Sequence, residues 1–147
     1  MADKDEILLD WAWRNLDEFW DDKRELDNKG SILLTANGIV LGFVANAFDK
    51  LDHFLALVGI ILLLISIILC IELLRPHTYY RSVCESHEAM CKLNKDQLNR
   101  KLYKELKEMY HKNRTTMDTI VKSYNWAIRS YLFALIAITA SIIRHIY

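Results

Sequence analysis

The run F-L-A-L-V-G-I-I-L-L-L-I-S-I-I-L-C-I-E-L-L, residues 54–74, decides the fold class of this chain. It contains a single ionisable residue, Glu72, close to its end. A helix at the surface of a soluble core needs a polar face toward water, and this run has none. Its length matches the hydrocarbon core of a bilayer. The run therefore predicts a transmembrane helix, which ends where Arg75 and Pro76 follow.

Two further apolar runs flank this helix. Residues 31–48 carry no charge over 18 positions, and at about 1.5 Å per residue they reach roughly 27 Å, just enough for a span. Residues 130–143 are charge-free for only 14 positions. Aromatic side chains extend this last run as an aromatic belt, and arginines at its edges can snorkel; these are Tyr124, Trp126, Tyr131, Tyr147, Arg129 and Arg144. We predict a third span there, the alternative being a buried C-terminal helix.

Helical periodicity continues outside the spans. Residues 5–28 read as an acidic amphipathic helix, with apolar positions Leu9, Ala12, Trp13, Leu16, Phe19 and Trp20. We expect its tryptophans to pack on protein, the alternative being that they rest at the level of the lipid headgroups. Residues 93–124 read as a second amphipathic helix, with a stripe of Leu98, Leu102, Leu106, Met109, Ile120 and Tyr124. No glycine or proline follows Pro76, so this helix is expected to run into the third span as one rod, with any bend at residues 111–116.

These features predict an all-α integral membrane protein with three transmembrane helices. Its parts are an acidic amphipathic cytosolic helix (1–30), a transmembrane hairpin (31–75), a basic cytosolic helical segment (76–125) and a third transmembrane helix (126–147). The link 49–53 contains one basic residue, whereas the N-terminal and middle segments contain seventeen. By the positive-inside rule the N-terminus is cytoplasmic and the C-terminus is outside, in a multi-pass arrangement.

Charge is unevenly distributed in this neutral chain. Residues 1–30 carry ten acidic and five basic side chains, a net charge of −5, and residues 75–129 carry six acidic and twelve basic ones, a net charge of +6. Opposite signs suggest that the two segments dock on each other, or that the basic one meets an anion or a lipid surface. The alternative is two solvated charged faces.

Small residues recur at alternating spacings of three and four on every span, the rhythm of a left-handed helix seam. On the first span they are Ser31, Thr35, Gly38, Gly42 and Ala45; on the second Ala56, Gly59, Ser66 and Cys70, with Leu63 completing the rhythm; on the third Ala127, Ser130, Ala134, Ala137 and Ser141. Such seams predict close helix packing, either within one chain or, most plausibly for the first span with Asn37 and Asn46, between subunits or along a water path. The two asparagines are nine positions apart and cannot share one face.

Candidate ligand-binding residues are basic side chains with aromatic neighbours, which could hold a phosphate and a stacked base. They are Tyr79, Tyr80 and Arg81, and then His111, Lys112 and Arg114. No glycine-rich phosphate loop accompanies them, so a solvated charged face is the alternative.

The sequence gives little support for a metal site or for catalysis. Cys84, His87 and Cys91 share one helical face, but a fourth zinc ligand is missing, so we predict no metal site. No nucleophile elbow, zinc-protease motif, P-loop or dinucleotide fingerprint is present, and we therefore expect no enzyme activity and no cofactor.

The stretch L-D-N-K-G-S-I-L-L-T-A-N-G, residues 26–38, resembles the entry to the first span in membrane effectors of the Pycsar type and their SLATT-like relatives. The layout is also similar: a hairpin of two spans closed by a proline, a charged helical segment, and a Lys-Tyr-like motif before the last span. Asp27, Lys29, Pro76 and Lys122 stand in the matching places, with one residue inserted in Lys122-Ser123-Tyr124. Gly30 stands where an alanine is usual, which is expected to loosen that helix joint.

The resemblance implies an antiphage effector of the bacterial inner membrane that senses a cyclic pyrimidine nucleotide from a companion cyclase. It places Asp27, Lys29 and Lys122 near the cytosolic membrane surface, where they couple sensing to the spans. The predicted function is thus a homo-oligomeric effector that permeabilises the bilayer on a cytosolic signal, with no nucleic-acid polymer as partner. A constitutive ion channel or transport subunit, and a membrane scaffold that recruits a soluble partner through residues 1–28, are the alternatives.

Overall fold

The computed structural model describes residues 4–75, 79 and 94–146, and within them the chain is helical and contains no strand. Helix α1 is Lys4–Ala47, a short 3-10 helix is Phe48–Lys50, α2 is His53–Leu74 and α3 is Lys95–Ile146. Each of α1, α2 and α3 is long and apolar enough to cross a membrane. The prediction of an all-α membrane protein with three spans is confirmed.

Helix α1 joins two predicted elements into one. Its 44 residues include both the acidic amphipathic segment and the first span, and the helix passes through Gly30 without interruption. The physical reason lies in its buried positions, which keep one heptad phase along the whole helix. Leu16, Gly30, Asn37 and Val44 are all buried and are separated by multiples of seven residues.

Helix α3 is one uninterrupted helix of 52 residues, and the predicted continuity into the third span is confirmed. Residues 111–116, the place expected for a bend, are helical throughout. Every seventh residue along α3 is buried: Asn99, Leu106, Asn113, Ile120, Ala127, Ala134 and Ser141. Because neither glycine nor proline interrupts the helix, this strict period is maintained from one end to the other.

The chain divides into two compact units. One, which we call the two-helix unit, comprises Met1–Glu25 and His77–Asp118; the other, the three-helix unit, comprises Leu26–Pro76 and Thr119–Tyr147. The division predicted from the sequence differs slightly because it refers to the membrane boundaries, and it stays a prediction.

The two-helix unit has an apolar core between the first part of α1 and the first part of α3. Its buried residues are Ala12, Leu16, Leu106 and Met109, with Leu9, Trp20 and Tyr103 packed against them. Lys95 forms an ion pair with Glu6. The acidic and basic segments therefore do pack on each other, chiefly through apolar side chains. For Trp11 and Trp13 the expectation of packing is wrong, since these residues are 55% and 47% exposed.

The three-helix unit has a tightly packed core and leaves large apolar side chains exposed on its outside. One core cluster contains Val44, Leu51, Ala56, Leu63, Ala134 and Ile138, and a second contains Leu33, Cys70 and Ala127. Ile39, Phe54, Ile68 and Ile136 are all more than half exposed. A water-soluble protein rarely exposes so large an apolar surface, whereas lipid tails cover it without cost.

Candidate functional site

The small-residue seam of α2 forms the centre of the three-helix unit. Ala56, Leu63, Ser66 and Cys70 have no exposed surface. Gly59 is also buried, and a Cβ built on it would lie 2.7 Å from Ile138 Cγ1. The predicted packing of this seam within the chain is confirmed. On the third span, Ala127, Ala134 and Ser141 are buried as well.

Ser66 is a polar hub that joins all three helices. Asn37 Nδ2 donates to Ser66 Oγ at 3.0 Å and to Leu33 O at 2.8 Å. Ser66 Oγ in turn donates to the backbone oxygen of Ala127 at 2.9 Å. Hydrogen bonds of this kind between membrane helices contribute about 0.6–2 kcal/mol each.

One acceptor of this network is left over. Asn37 is fully buried, and within the described part of the chain its Oδ1 has no hydrogen-bond partner. An unpaired buried acceptor costs about 1–3 kcal/mol. The main effect of Asn37 is therefore to fix the alignment of α1 against α2, and its net contribution to the free energy of unfolding is small.

Asp52 organises the opposite end of the hairpin. Its carboxylate caps α2 by accepting from Leu55 N at 3.1 Å, and it pairs with Arg144 Nε at 3.3 Å. Its backbone oxygen accepts from Ser141 Oγ at 3.0 Å. The start of α2 is thereby tied to the end of α3. Sequence reasoning missed this junction, although an Asp directly before a helix is a recognisable N-cap signal.

The small residues predicted for the first span lie on the outside of the three-helix unit. We call them, together with Asn46, the small-residue face; its members are Ser31, Thr35, Gly38, Gly42, Ala45 and Asn46, all of them exposed. Apart from the adjacent backbone of α1 itself, none of the described atoms lies within 4 Å of a Cβ built on Gly38 or Gly42. Asn37, predicted with the same set, is instead buried in the hub. The prediction that this seam packs within the chain is therefore wrong. Its packing between subunits, or its position along a pore, stays a prediction.

The small-residue face is narrow, continuous and smooth. At roughly 100° per residue its six members fall within an arc of about 100°, which contains no large side chain of the span. Thr35 Oγ1 donates to Ser31 O and Asn46 Nδ2 to Gly42 O, both at 3.0 Å. These bonds hold the polar side chains against their own helix, so the face presents backbone and small groups.

The predicted ligand-binding cations that the structure describes are divided between the two compact units. Lys112 Nζ pairs with Glu108 at 2.7 Å and Arg114 Nε with Asp118 at 3.7 Å, both one turn away on α3. The hydrogen bond and charge of Lys112 lower the pKa of the exposed Glu108 carboxyl. Lys29 and Lys122 are exposed and belong to the three-helix unit. Tyr80 and Arg81 lie outside the described residues, and the role of all six stays a prediction.

The residues that carry the family resemblance have distinct environments. On α1, Asp27 is half-buried and Lys29 is exposed. Lys122 is exposed on α3. Gly30 is tightly packed, because a Cβ built there would lie 2.5 Å from Leu73 Cδ2. The expected loosening at Gly30 is not found: the missing side chain makes room for Leu73. Pro76 lies outside the described residues, as do Cys84, His87 and Cys91.

A groove in the two-helix unit was not anticipated from the sequence. It has a volume of about 60 Å³ and lies between α1 and α3. Its lining residues are Trp11, Ala12, Asn15, Leu106, Lys107, Tyr110 and His111. The sequence feature that could have indicated this groove is the position of Trp11 and Tyr110, which lie beside the apolar stripes of the two helices and not on them. Among the described residues, no group of three or more potential metal ligands is found.

Comparison with known proteins places this architecture in a family. No curated protein and no solved structure was found to match the chain. The family model of the Pycsar effector protein domain, PycTM, matches residues 11–145. The resemblance to Pycsar-type effectors seen at residues 26–38 is thereby confirmed, since the family model matches that stretch and most of the chain around it. The chain therefore belongs to the Pycsar effector family and is a membrane effector in antiphage defence.

Proposed function

We propose that this effector works as a homo-oligomer of the bacterial inner membrane, in which a cytosolic cyclic nucleotide changes how the spans pack and makes the bilayer leak. The observation that carries the proposal is the exposure of the small-residue face. The equivalent seam on α2 is buried against other helices of the three-helix unit, whereas the seam on α1 is exposed.

The small-residue face favours contact with another helix over contact with lipid tails. Lipid tails are as apolar as leucine side chains, so hydrophobicity alone does not drive membrane helices together. Small residues do so, because they allow two backbones to approach and exchange van der Waals contacts. Gly38 and Gly42 offer such an approach without obstruction. A second copy of α1 is the partner whose surface fits.

Polar groups on the same face support an assembled state. Asn46 is exposed, and its amide would otherwise face hydrocarbon, where polar groups are costly. In an oligomer the Oδ1 of Asn46 can accept from a neighbouring copy or from water. Thr35 and Ser31 add hydroxyls along the same line. The same face could therefore hold subunits together and become hydrated when they rearrange.

The orientation follows from the charge distribution and is part of the proposal. The two-helix unit contains the acidic and basic segments and would lie in the cytoplasm. The nucleotide would come from a companion cyclase, as the family membership supports.

The test is dye leakage from liposomes that contain the purified full-length protein, with and without cyclic UMP or cyclic CMP. The wild type is expected to leak only with nucleotide, and Gly42→Leu to fall to background, because the leucine holds neighbouring helices apart. Phe43→Trp is the matched control. Phe43 is 56% exposed on the same span and lies about 60° beyond the edge of the small-residue face, so this variant should leak like the wild type.

Two results would count against the proposal. Equal leakage of Gly42→Leu and the wild type would remove the small-residue face from the mechanism. Leakage of the wild type at full rate without nucleotide would identify a permanent pore instead, in line with a constitutive channel.

A further inference from the structure

One outward stripe of α3 combines two cations with large apolar side chains. Ala127 faces the core and has no exposed surface, and the stripe is turned away from it. At roughly 100° per residue, the members of the stripe fall within an arc of about 80° around the helix. They are Lys122, Trp126, Arg129, Phe133 and Ile136, all of them exposed. We call these five residues the basic-aromatic stripe.

Arg129 begins deep within the span, although its side chain is on the outside of the three-helix unit. Ser66 Oγ donates to Ala127 O at 2.9 Å, so Ala127 is level with Ser66. From there to Glu72, the first ionisable residue toward the end of α2, the helix continues for six residues, or about 9 Å. The junction at Asp52 joins the other ends of these two helices, so they are antiparallel and Arg129 lies deeper still. An arginine at this depth is costly unless its charge is paired.

The side chain of Arg129 turns back toward the end of the unit at which α2 stops. Its Cζ lies 5.4 Å from the centre of the Trp126 ring, which is one turn nearer that end. Side chains on a helix lean toward its N-terminus, which for α3 is the same direction. The guanidinium is therefore held over an indole ring at the level where tryptophans meet lipid headgroups.

The two cations of the stripe have no acidic partner among the residues that the structure describes. By contrast, Arg75 at the end of α2 pairs with Glu72 at 3.8 Å. Lys122 is about two turns from Arg129 on the same stripe and lies nearer the end of the unit. An anion that reaches Arg129 from the lipid side would therefore meet a second positive charge beyond it.

We infer that the basic-aromatic stripe binds an anionic phospholipid, with the phosphate at Arg129 and one acyl chain along Phe133 and Ile136. A guanidinium donates charge-assisted hydrogen bonds to phosphate oxygens, and lipid tails cover exposed apolar side chains. The position of Lys122 favours a headgroup without a terminal ammonium, because two like charges would repel each other there. Phosphatidylglycerol therefore fits the stripe better than phosphatidylethanolamine.

This site goes beyond the proposed function, because it requires neither a nucleotide nor a second copy of the chain. The stripe lies on α3, whereas the small-residue face lies on α1. A phosphate bound at Arg129 would fix the depth of α3 in the bilayer, since the guanidinium would stay at the headgroup level. In the proposed orientation the bound lipid belongs to the cytoplasmic leaflet.

Native mass spectrometry of the full-length protein in detergent measures the number and affinity of bound lipids. Phosphatidylglycerol and phosphatidylethanolamine with identical acyl chains are compared, without any nucleotide. The wild type is expected to bind phosphatidylglycerol about tenfold more tightly, because two basic residues meet its charge. Arg129→Gln should reduce this preference to about twofold, Lys122→Gln should weaken phosphatidylglycerol binding about fivefold, and Arg129→Lys should keep most of the preference.

Arg75→Gln is the matched control, because Arg75 is an exposed arginine at the same end of the unit whose charge is already paired. Its variant should bind phosphatidylglycerol within about twofold of the wild type. Glycerophosphoglycerol, the same headgroup without acyl chains, should not displace the bound lipid, since it cannot contact Phe133 and Ile136. Circular dichroism checks that each variant remains helical, and Lys122→Gln decides the outcome if Arg129→Gln does not fold.

Three results would overturn the inference. The first is equal binding of the two lipids by the wild type. The second is an equal loss of phosphatidylglycerol binding in the Arg129→Gln and Arg75→Gln variants, which would indicate general attraction by charge. The third is displacement of the lipid by glycerophosphoglycerol, which would identify a phosphate site instead of a lipid site. None of these measurements depends on leakage, so the proposed function is tested separately.

Discussion

The first and second spans carry the same pattern of small residues and use it in opposite ways. On α2 the seam is buried, and the glycine in it contacts Ile138 so closely that a methyl group would collide. On α1 the seam is exposed, and its two glycines have open space beside them. The inner face of α1 is instead made of Gly30, Leu33, Asn37 and Val44. A small-residue seam thus predicts that a face can pack closely, but not which helix it packs against.

The largest effect is expected at Ser66, in the middle of the buried seam. Ser66→Leu adds bulk at a site without free space and removes the hub, which leaves Asn37 and Ala127 O without their partner. We expect a loss of about 3 kcal/mol or more in the free energy of unfolding. Thermal unfolding in detergent, followed by circular dichroism, measures it. Unchanged stability would mean that the three helices are not joined there.

A comparison of two glycines tests the contrast between the seams directly. Gly59→Ala should cost about 1–3 kcal/mol, because the new methyl group meets Ile138. Gly42→Ala should leave the unfolding free energy unchanged or slightly higher, because alanine favours helix and nothing is nearby. The same unfolding assay compares the two variants in parallel. Equal losses at the two positions would contradict the opposite exposure of the two seams.

Small effects on stability are also expected at the two asparagines. Asn37→Leu removes two hydrogen bonds together with the unpaired acceptor, so the net change should be within about 1 kcal/mol. Asn46→Leu should also leave the monomer stable, since Asn46 is exposed, but it should lower the fraction of oligomer seen by crosslinking in liposomes. A strong loss of oligomer in Asn37→Leu alone would reverse the roles given to the two faces.

The predictable part of the fold rests on length and solvent preference. The run at residues 54–74 has to span a membrane because no water-soluble packing would cover it. The uninterrupted α3 follows from the absence of glycine and proline after Pro76, together with the period of seven. The continuity of α1 through Gly30 was harder to predict from the sequence. A glycine between a charged and an apolar stretch is equally compatible with a break between two helices.

The candidate sites depended on the tertiary structure. The groove arises where residues about 95 positions apart in the chain, Trp11 and Lys107 among them, meet beside an apolar core. The Ser66 hub and the Asp52 junction likewise join residues distant in sequence. Neither spacing nor composition indicates which distant helix supplies the partner.

What the sequence by itself determined is therefore the solvent of each segment and the helical period at which its packing faces recur. Both are local properties: the transfer of a side chain into lipid and the helical period depend on neighbours along the chain. Only the tertiary structure decided which of two packable faces of α1 turns inward. Val44 and Leu33 fill the space between the helices, and Asn37 finds a hydrogen-bond partner in Ser66. This choice leaves the glycines of α1 on the outside.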